Sequence, residues 1–259
     1  MKRWRQRLLF WTVLLLVGAI GAGVLWLRTH RDKFEAPASV TASVSRVHNL
    51  FVDVYAARAG GKVLLFDAGI DQSGKAIDAL LAQLKATRAD VSDIFVTHGH
   101  GDHIGAVPLF STAKVHASSR DVDMMRDKSL VEPALAIAFG WILPAPYVNA
   151  LPLGEDGLVP VDGGAQVRAF AIPGHTPGSM AYLYDGVLFV GDSVRYVNGK
   201  LAPAPAGFSV DRDENRRSLK VLKQALAGLK LDVICTGHEG CTPPGEAGRL
   251  LDELVASAP

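Results

Sequence analysis

Thr97-His98-Gly99-His100-Gly101-Asp102-His103 places three histidines and an aspartate within six residues, separated only by glycines. A packed core has no use for that composition. Three shorter motifs follow: Pro173-Gly174-His175-Thr176-Pro177-Gly178-Ser179, Gly191-Asp192 and Thr236-Gly237-His238. Each comes just after an apolar, strand-like run. Five of the chain's eight histidines fall in this set. Neutral imidazole and carboxylate are the ligands preferred by zinc and similar borderline divalent ions. Two such ions about 3.5–4 Å apart share a bridging water and lower its pKa toward 7. Holding like charges that close requires a bridging carboxylate. Asp192, alone after the apolar run 187–190, is the candidate.

These motifs resemble the metallo-β-lactamase superfamily, whose pattern is H-x-H-x-D-H, then a His, an Asp and a His, each just past a strand end. The resemblance covers the chain from about residue 40 onward. It implies an α/β fold, a four-layer αββα sandwich. It also implies a metal site of His98, His100 and His175, a second of Asp102, His103 and His238, and Asp192 joining them. Two divalent ions, zinc or similar, are the expected cofactors. Asp102 would be a ligand that also accepts a hydrogen bond from the bridging hydroxide and aims it, which makes it the catalytic candidate. Asp67-Ala68-Gly69 matches the family's Asp-x-Gly turn. Asp67 then either orients a ligand histidine or only forms the turn.

The chain has 259 residues, net charge +1 and an apolar fraction of 49%. Part of that apolarity sits at the N-terminus. Residues 8–27 carry no charge, and twenty helical residues span about 30 Å, the thickness of a bilayer core. Residues 1–7 form a basic flank with Lys2, Arg3, Arg5 and Arg7, whereas Arg28, Arg31 and Lys33 follow the run. The expectation is a single-pass anchor with its N-terminus inside and the catalytic domain on the periplasmic or outer side of a bacterial inner membrane. Trp4, Trp11 and Trp26 lie near the ends of the run, where interfacial aromatics are expected. A cleaved signal peptide is the competing reading, with Ala36-Pro37-Ala38 imitating a cleavage site. Residues 28–39 read as a linker and 40–259 as the catalytic domain. Of 27 basic and 26 acidic residues, the first 35 positions take seven and two, leaving 20 and 24. A mildly acidic domain has no nucleic-acid footprint.

Cys235 and Cys241 flank His238. Two readings stand, a disulfide closing a short loop in an oxidising compartment, or a buried thiol and a free one. Strands are expected at 40–47, 50–58, 62–67, 93–97, 114–117, 166–172, 180–184, 187–190 and 231–235. Asp185-Gly186 closes a hairpin. Helices are expected at 73–87, from 105, at 211–229 and at 246–256. His48 and His116 match no ligand position and read as structural. Residues 134–147 are uncharged and too short to span a bilayer. They read either as a core helix or as an apolar lid favouring a lipophilic, acyl-bearing substrate.

Within the resemblance, Asp192 argues for the glyoxalase II-like and lactonase-like branches, because β-lactamases with this histidine pattern typically lack that aspartate. The glutathione-binding helical domain of glyoxalase II is not expected here. The function expected is a membrane-anchored dinuclear hydrolase acting on a small ester, thioester or lactone, with β-lactamase and phosphodiesterase as hydrolytic alternatives. A mononuclear iron oxygenase resembling persulfide dioxygenase, or a non-catalytic metal-binding module, is the alternative from another class.

Overall fold

Strand β4 (Lys62–Phe66) shows how the layers arise. Val63 and Leu65 pack into one apolar cluster, and Leu64 and Phe66 into another. A strand buried on both faces, with side chains alternating between them, must have a layer on each side. The computed structural model describes residues 2–126, 146, 148–154 and 156–257. The apolar segment 134–147 lies outside these residues except for position 146.

A seven-stranded sheet runs in chain order: β1 (Ala38–Ser39), β2 (Val44–Asn49), β3 (Val52–Ala59), β4, β5 (Val91–Phe95), β6 (Lys114–Ser118) and β7 (Leu151–Leu153). Pairing is antiparallel up to β4 and parallel from β4 to β7. A five-stranded sheet has the order β14-β11-β10-β9-β8, built from β8 (Asp156–Pro160), β9 (Gln166–Ala171), β10 (Met180–Tyr184), β11 (Val187–Phe189) and β14 (Val233–Cys235). Strands β12 (Val194–Val197) and β13 (Lys200–Pro203) form a separate ribbon. Asp185 and Gly186, at φ 47° and 80°, close the β10–β11 hairpin as expected, since both residues of such a turn need left-handed backbone.

Between the sheets, Phe66 stacks on Phe189 with ring centroids 3.7 Å apart, and Phe95 lies 5.2 Å from Tyr182. Helices α2 (Lys75–Gln83) and α3 (Ser119–Arg126) pack on the outer face of the larger sheet through Ile77, Leu80, Leu81, Val122 and Met125. Helices α4 (Arg212–Ala225) and α5 (Ala247–Ser257) cover the smaller sheet through Leu219, Leu222, Leu250 and Leu254. Asp211 caps α4, accepting from Asp213 N and Glu214 N, both at 2.9 Å.

Strands β1, β7, β8, β12 and β13 and helix α3 are not among the expected elements, and two expected helices are shorter than expected. The helix expected over 73–87 is only Lys75–Gln83. Lys85 takes a left-handed φ of 51°, and a capping box between Thr87 and Asp90 then starts a separate 3₁₀ turn. The helix expected from 105 is one 3₁₀ turn, Val107–Leu109. Gly105 N and Ala106 N donate instead to the carbonyls of Gly69 and Ala68.

At the N-terminus, α1 (Lys2–His30) contains an apolar stretch of mean hydropathy 2.4. Most of its large apolar side chains are exposed. Residues 31–35 then lie against the β2–β3 hairpin, Leu50 N donating to Lys33 O and Glu35 N to His48 O, both at 2.9 Å.

His48 and His116 each pair with a buried aspartate, Asp53 at 2.9 Å and Asp93 at 2.8 Å. The hydrogen bond to Asp53 holds the His48 imidazole above its ordinary value, against partial burial. A raised folded-state value means that the pair's stabilisation is complete below the unfolded value of about 6.5 and fades as pH rises through the folded one. His48→Gln is therefore expected to lower Tm more at ~pH 5.5 than at ~pH 9, measured by thermal melts against wild type. An equal loss at both would show that the charge plays no part.

Candidate metal centre

Strands β9 and β11 are each antiparallel to β10, and β14 is parallel to β11, so all three end on one rim. The loops beyond them carry His175, Asp192 and His238. In the other sheet, the parallel strands β4 and β5 lead to Asp67 and to residues 97–103. All seven residues expected from the sequence meet where these rims face each other. His98, His100 and His175 form one group. His98, His103 and Asp192 form a second, and Asp102, His103 and His238 a third. Within each group the candidate atoms lie within 4.8 Å of one another.

His98 Nε2, His100 Nδ1 and His175 Nε2 stand 3.0, 3.1 and 3.2 Å apart. Ligands placed tetrahedrally around zinc at 2.0–2.1 Å would stand about 3.3 Å apart. Mutual hydrogen bonding is a poor account of three buried imidazoles with converging lone pairs; a cation satisfies all three. Asp192 reaches both sides of the centre. Its Oδ2 lies 2.9 Å from His238 Nε2, 3.6 Å from His175 Nε2 and 4.0 Å from His98 Nε2. Its Oδ1 is 3.3 Å from His103 Nε2. Both of those last atoms are buried without a hydrogen-bond partner, a costly arrangement that a metal ion would resolve. Asp102 Oδ2 lies 3.7 Å from His238 Nε2 and 3.8 Å from His103 Nε2. A Cβ at Gly237 would collide with Asp192 Oδ1 and lie 2.8 Å from His103 Cε1, so only glycine leaves room beside the cluster. The residues fit a metal.

The outward-facing ring nitrogens are held by acceptors, which fixes which nitrogen faces inward. His103 Nδ1 donates to Asp67 Oδ2 at 2.8 Å. His238 Nδ1 donates to the Phe51 carbonyl at 2.6 Å. Thr97 Oγ1 donates to Asp67 Oδ2 at 2.8 Å, and so accepts from His98 Nδ1 at 3.1 Å. Asp67 therefore orients His103 directly and His98 through Thr97; the turn is not its whole role.

Burial drives His98 well below its usual value and His175 down to about 3. Both stay neutral, with lone pairs available. Burial pushes the same way on His103 and His238, but neighbouring carboxylates prevail. Asp192, Asp67 and Asp102 lift His103 well above its usual value, and Asp192 and Asp102 bring His238 to about 10. Burial alone would raise Asp192; His238 and His103 hold it well below the carboxylate range. This side of the centre stabilises positive charge.

Three supporting residues escaped the sequence reading. Asp121, 1% exposed on α3, accepts from Gly99 N at 2.9 Å, Thr176 Oγ1 at 2.8 Å and Gly178 N at 2.8 Å. It ties the first histidine loop to the His175 loop. Asp53 Oδ2 accepts from Gly240 N at 2.8 Å, and Tyr55 Oη donates to Thr236 O at 2.7 Å, so β3 grips the His238 loop. A disulfide joins Cys235 and Cys241 across that loop, deciding between the two cysteine readings. Asp121→Ala strands three buried donors, each worth about 1–3 kcal/mol. Urea unfolding of the metal-free protein is expected to show a loss of at least about 3 kcal/mol. A change under about 1 kcal/mol would mean that water replaces the carboxylate.

The family model of the metallo-β-lactamase superfamily matches residues 49–238. "Probable metallo-hydrolase YflN" of Bacillus subtilis (strain 168) is 30% identical over 234 residues, covering 79% of this chain and 85% of that protein. A hydroxyacylglutathione hydrolase of Shewanella sp. (strain ANA-3) is 27% identical over 125 residues, 45% of this chain and 40% of that protein. The solved structure of BJP-1, a subclass B3 metallo-β-lactamase of Bradyrhizobium japonicum, has a TM-score of 0.63 at 22% identity, covering 89% of this chain and 94% of that one. That last likeness is one of fold. With the matched family model taking in every cluster residue from His98 to His238, the chain belongs to the metallo-β-lactamase superfamily and is a metal-dependent hydrolase.

Proposed function

We propose that this protein is a membrane-anchored hydrolase with two divalent ions, zinc by preference, acting on a small ester, thioester or lactone. The observation that carries the two-ion reading is the pair of distinct groups sharing one carboxylate. His98, His100 and His175 converge within 3.0–3.2 Å. Asp102, His103 and His238 gather beside them, and Asp192 Oδ2 faces both. In this reading the first three residues would hold one ion, the second three would hold the other, and Asp192 would contribute to both. When bound, the ions would lower the pKa of water toward neutrality and polarise the substrate carbonyl. Asp102, with a side chain 20% exposed, is the more open of the two carboxylates, and its free oxygen would accept a hydrogen bond from the attacking water. The similarity to a hydroxyacylglutathione hydrolase favours acyl chemistry. An iron site using only part of the set would leave the remaining buried lone pairs unmatched, which counts against the oxygenase alternative.

The four-layer αββα reading is supported by helices packed outside each of two facing sheets. The reading of 8–27 as an uncleaved anchor, with 40–259 as a non-cytoplasmic domain, rests on the apolar helix, its basic flank and the disulfide, a bond of oxidising compartments.

Metal analysis of the purified protein is expected to approach two zinc-like ions per chain, and Asp192→Ala to lose at least one. Full retention of both ions in that variant would remove the bridging role. Asp102→Asn is expected to lower turnover of a hydrolysed ester by about 10²–10³-fold with a smaller effect on Tm. Wild-type turnover in Asp102→Asn would refute the water-orienting role. N-terminal sequencing tests the anchor, since a mature chain beginning near Ser39 would make the helix a signal peptide.

A further inference from the structure

The segment between α1 and the first full strand is not a free tether. Asn49, 1% exposed at the end of β2, donates from Nδ2 to the carbonyls of Arg31 and Lys33, both at 2.9 Å. Its Oδ1 accepts from Ile70 N and Asp71 N at 3.2 and 3.0 Å. Phe34 forms a β-bridge with Asn49, and Lys75 of α2 pairs with Asp32 at 2.7 Å. Only three residues, 28–30, separate the apolar run from the first docked carbonyl, and all three are helical. The end of the run touches the domain itself. Leu27 packs against Val52 and Ile70, in a cluster with Leu50 and Phe51.

Phe51 links that cluster to the chemistry. Its ring stacks on His238 with centroids 5.9 Å apart and planes 28° apart, and its carbonyl fixes His238 Nδ1. Phe51 thus belongs both to the cluster that receives the end of the apolar helix and to the surroundings of His238. With 8–27 filling the hydrocarbon layer, Leu27 lies at its boundary. The headgroup zone beyond is about 5–7 Å deep on each side. Phe51, which shares the Val52–Ile70 cluster with Leu27, then borders that zone, and the His238 edge of the centre follows directly behind Phe51. Trp26 and Phe34, 52% and 40% exposed, suit that interface, and Arg28, Arg31 and Lys33 suit anionic headgroups.

Resting on the anchored-hydrolase reading above, the geometry points to an interfacial enzyme. Its substrate is an amphiphile that stays in the bilayer, its apolar chain in the hydrocarbon and its ester, thioester or lactone carbonyl at headgroup level. Water adds its oxygen to the acyl carbon, the carbon–oxygen or carbon–sulfur bond breaks, and a proton passes to the leaving alcohol or thiol. A tethered domain with free reach would give the scissile bond no preferred depth; the docked segment does.

The test uses the full zinc-loaded chain in vesicles of phosphatidylcholine and phosphatidylglycerol. The probes are 4-nitrophenyl acetate, which stays in water, and 4-nitrophenyl laurate, which partitions into the vesicles. A ~15-residue Gly-Ser spacer inserted between His30 and Arg31 frees the domain to drift about 20 Å from the surface. The expected result is a loss of at least about tenfold on the laurate, equivalent to ~1.4 kcal/mol, with acetate turnover unchanged. Equal rates on both esters with and without the spacer would overturn the proposal. If neither ester is hydrolysed by the unaltered chain, the acyl-hydrolase reading fails with its substrate class, and crosslinking judges the geometry alone. A photoreactive headgroup lipid is expected to label Leu50 and Phe51, the half-buried residues of that turn, in the unaltered chain and not in the spacer variant. No labelling in either, on protein that co-sediments with the vesicles, overturns the docking; protein that does not co-sediment overturns the anchor reading instead.

Discussion

Convergence of buried lone pairs without enough protons to join them governs this molecule. Five imidazoles and two carboxylates point into one small volume, and hydrogen bonds among them leave His103 Nε2 and Asp192 Oδ1 buried without a partner. A buried polar cluster of that kind is destabilising until a cation fills it. The neighbouring features serve that concentration of donors. Glycine at 237 makes room for it, Asp67 and the Phe51 carbonyl aim its rings, and Asp121 ties two of its loops together. Metal binding and folding stability are therefore coupled in this chain, because the ion repairs what the fold leaves unmatched.

The scaffold that tolerates this is apolar and stiff. The ring stack of Phe66, Phe95, Tyr182 and Phe189 fills the space between the two sheets. Phe95 and Phe189 end the strands that lead to the first histidine loop and to Asp192. Displacing either ring shifts a strand end and with it a member of the cluster. Tyr182 Oη also donates to the Val96 carbonyl at 2.9 Å, and Met180 N to the Thr97 carbonyl at 2.8 Å. The second sheet thus holds the first at the base of the site.

What could be read from the sequence was what is local. The 97–103 motif carries its chemistry within seven residues, and the other cluster members announce themselves by following apolar runs. The nine expected strands and the hairpin were legible to within a few residues because alternation and Asp185-Gly186 are short-range signals, whereas the short strands β1, β7, β8, β12 and β13 were not. Asp121, Asp53 and Tyr55 were not legible. Each is a single residue whose role depends on partners 22 to 187 positions away. Asp67 and the two cysteines were ambiguous for the same reason: a turn aspartate and a spaced cysteine pair look alike with or without their partners. The short α2 shows the opposite failure, an apolar period that runs on past the point where backbone geometry ends the helix.

The His238 loop combines a short separation with the longest ones in the site. Its disulfide spans six positions, whereas its bonds to Phe51, Asp53 and Tyr55 span 181 to 187. Loop-closure entropy rises with the logarithm of length, so the long contacts cost about 3 kcal/mol more to close than the short one. Contacts of such separation form slowly. The oxidised loop can exist as a finished ring before the β-sheets meet, and it then docks as a unit. Assembly of the centre therefore has an order in time: the donors of 98–103 lie close from the start, and His238 joins only when the two ends of the fold have found each other.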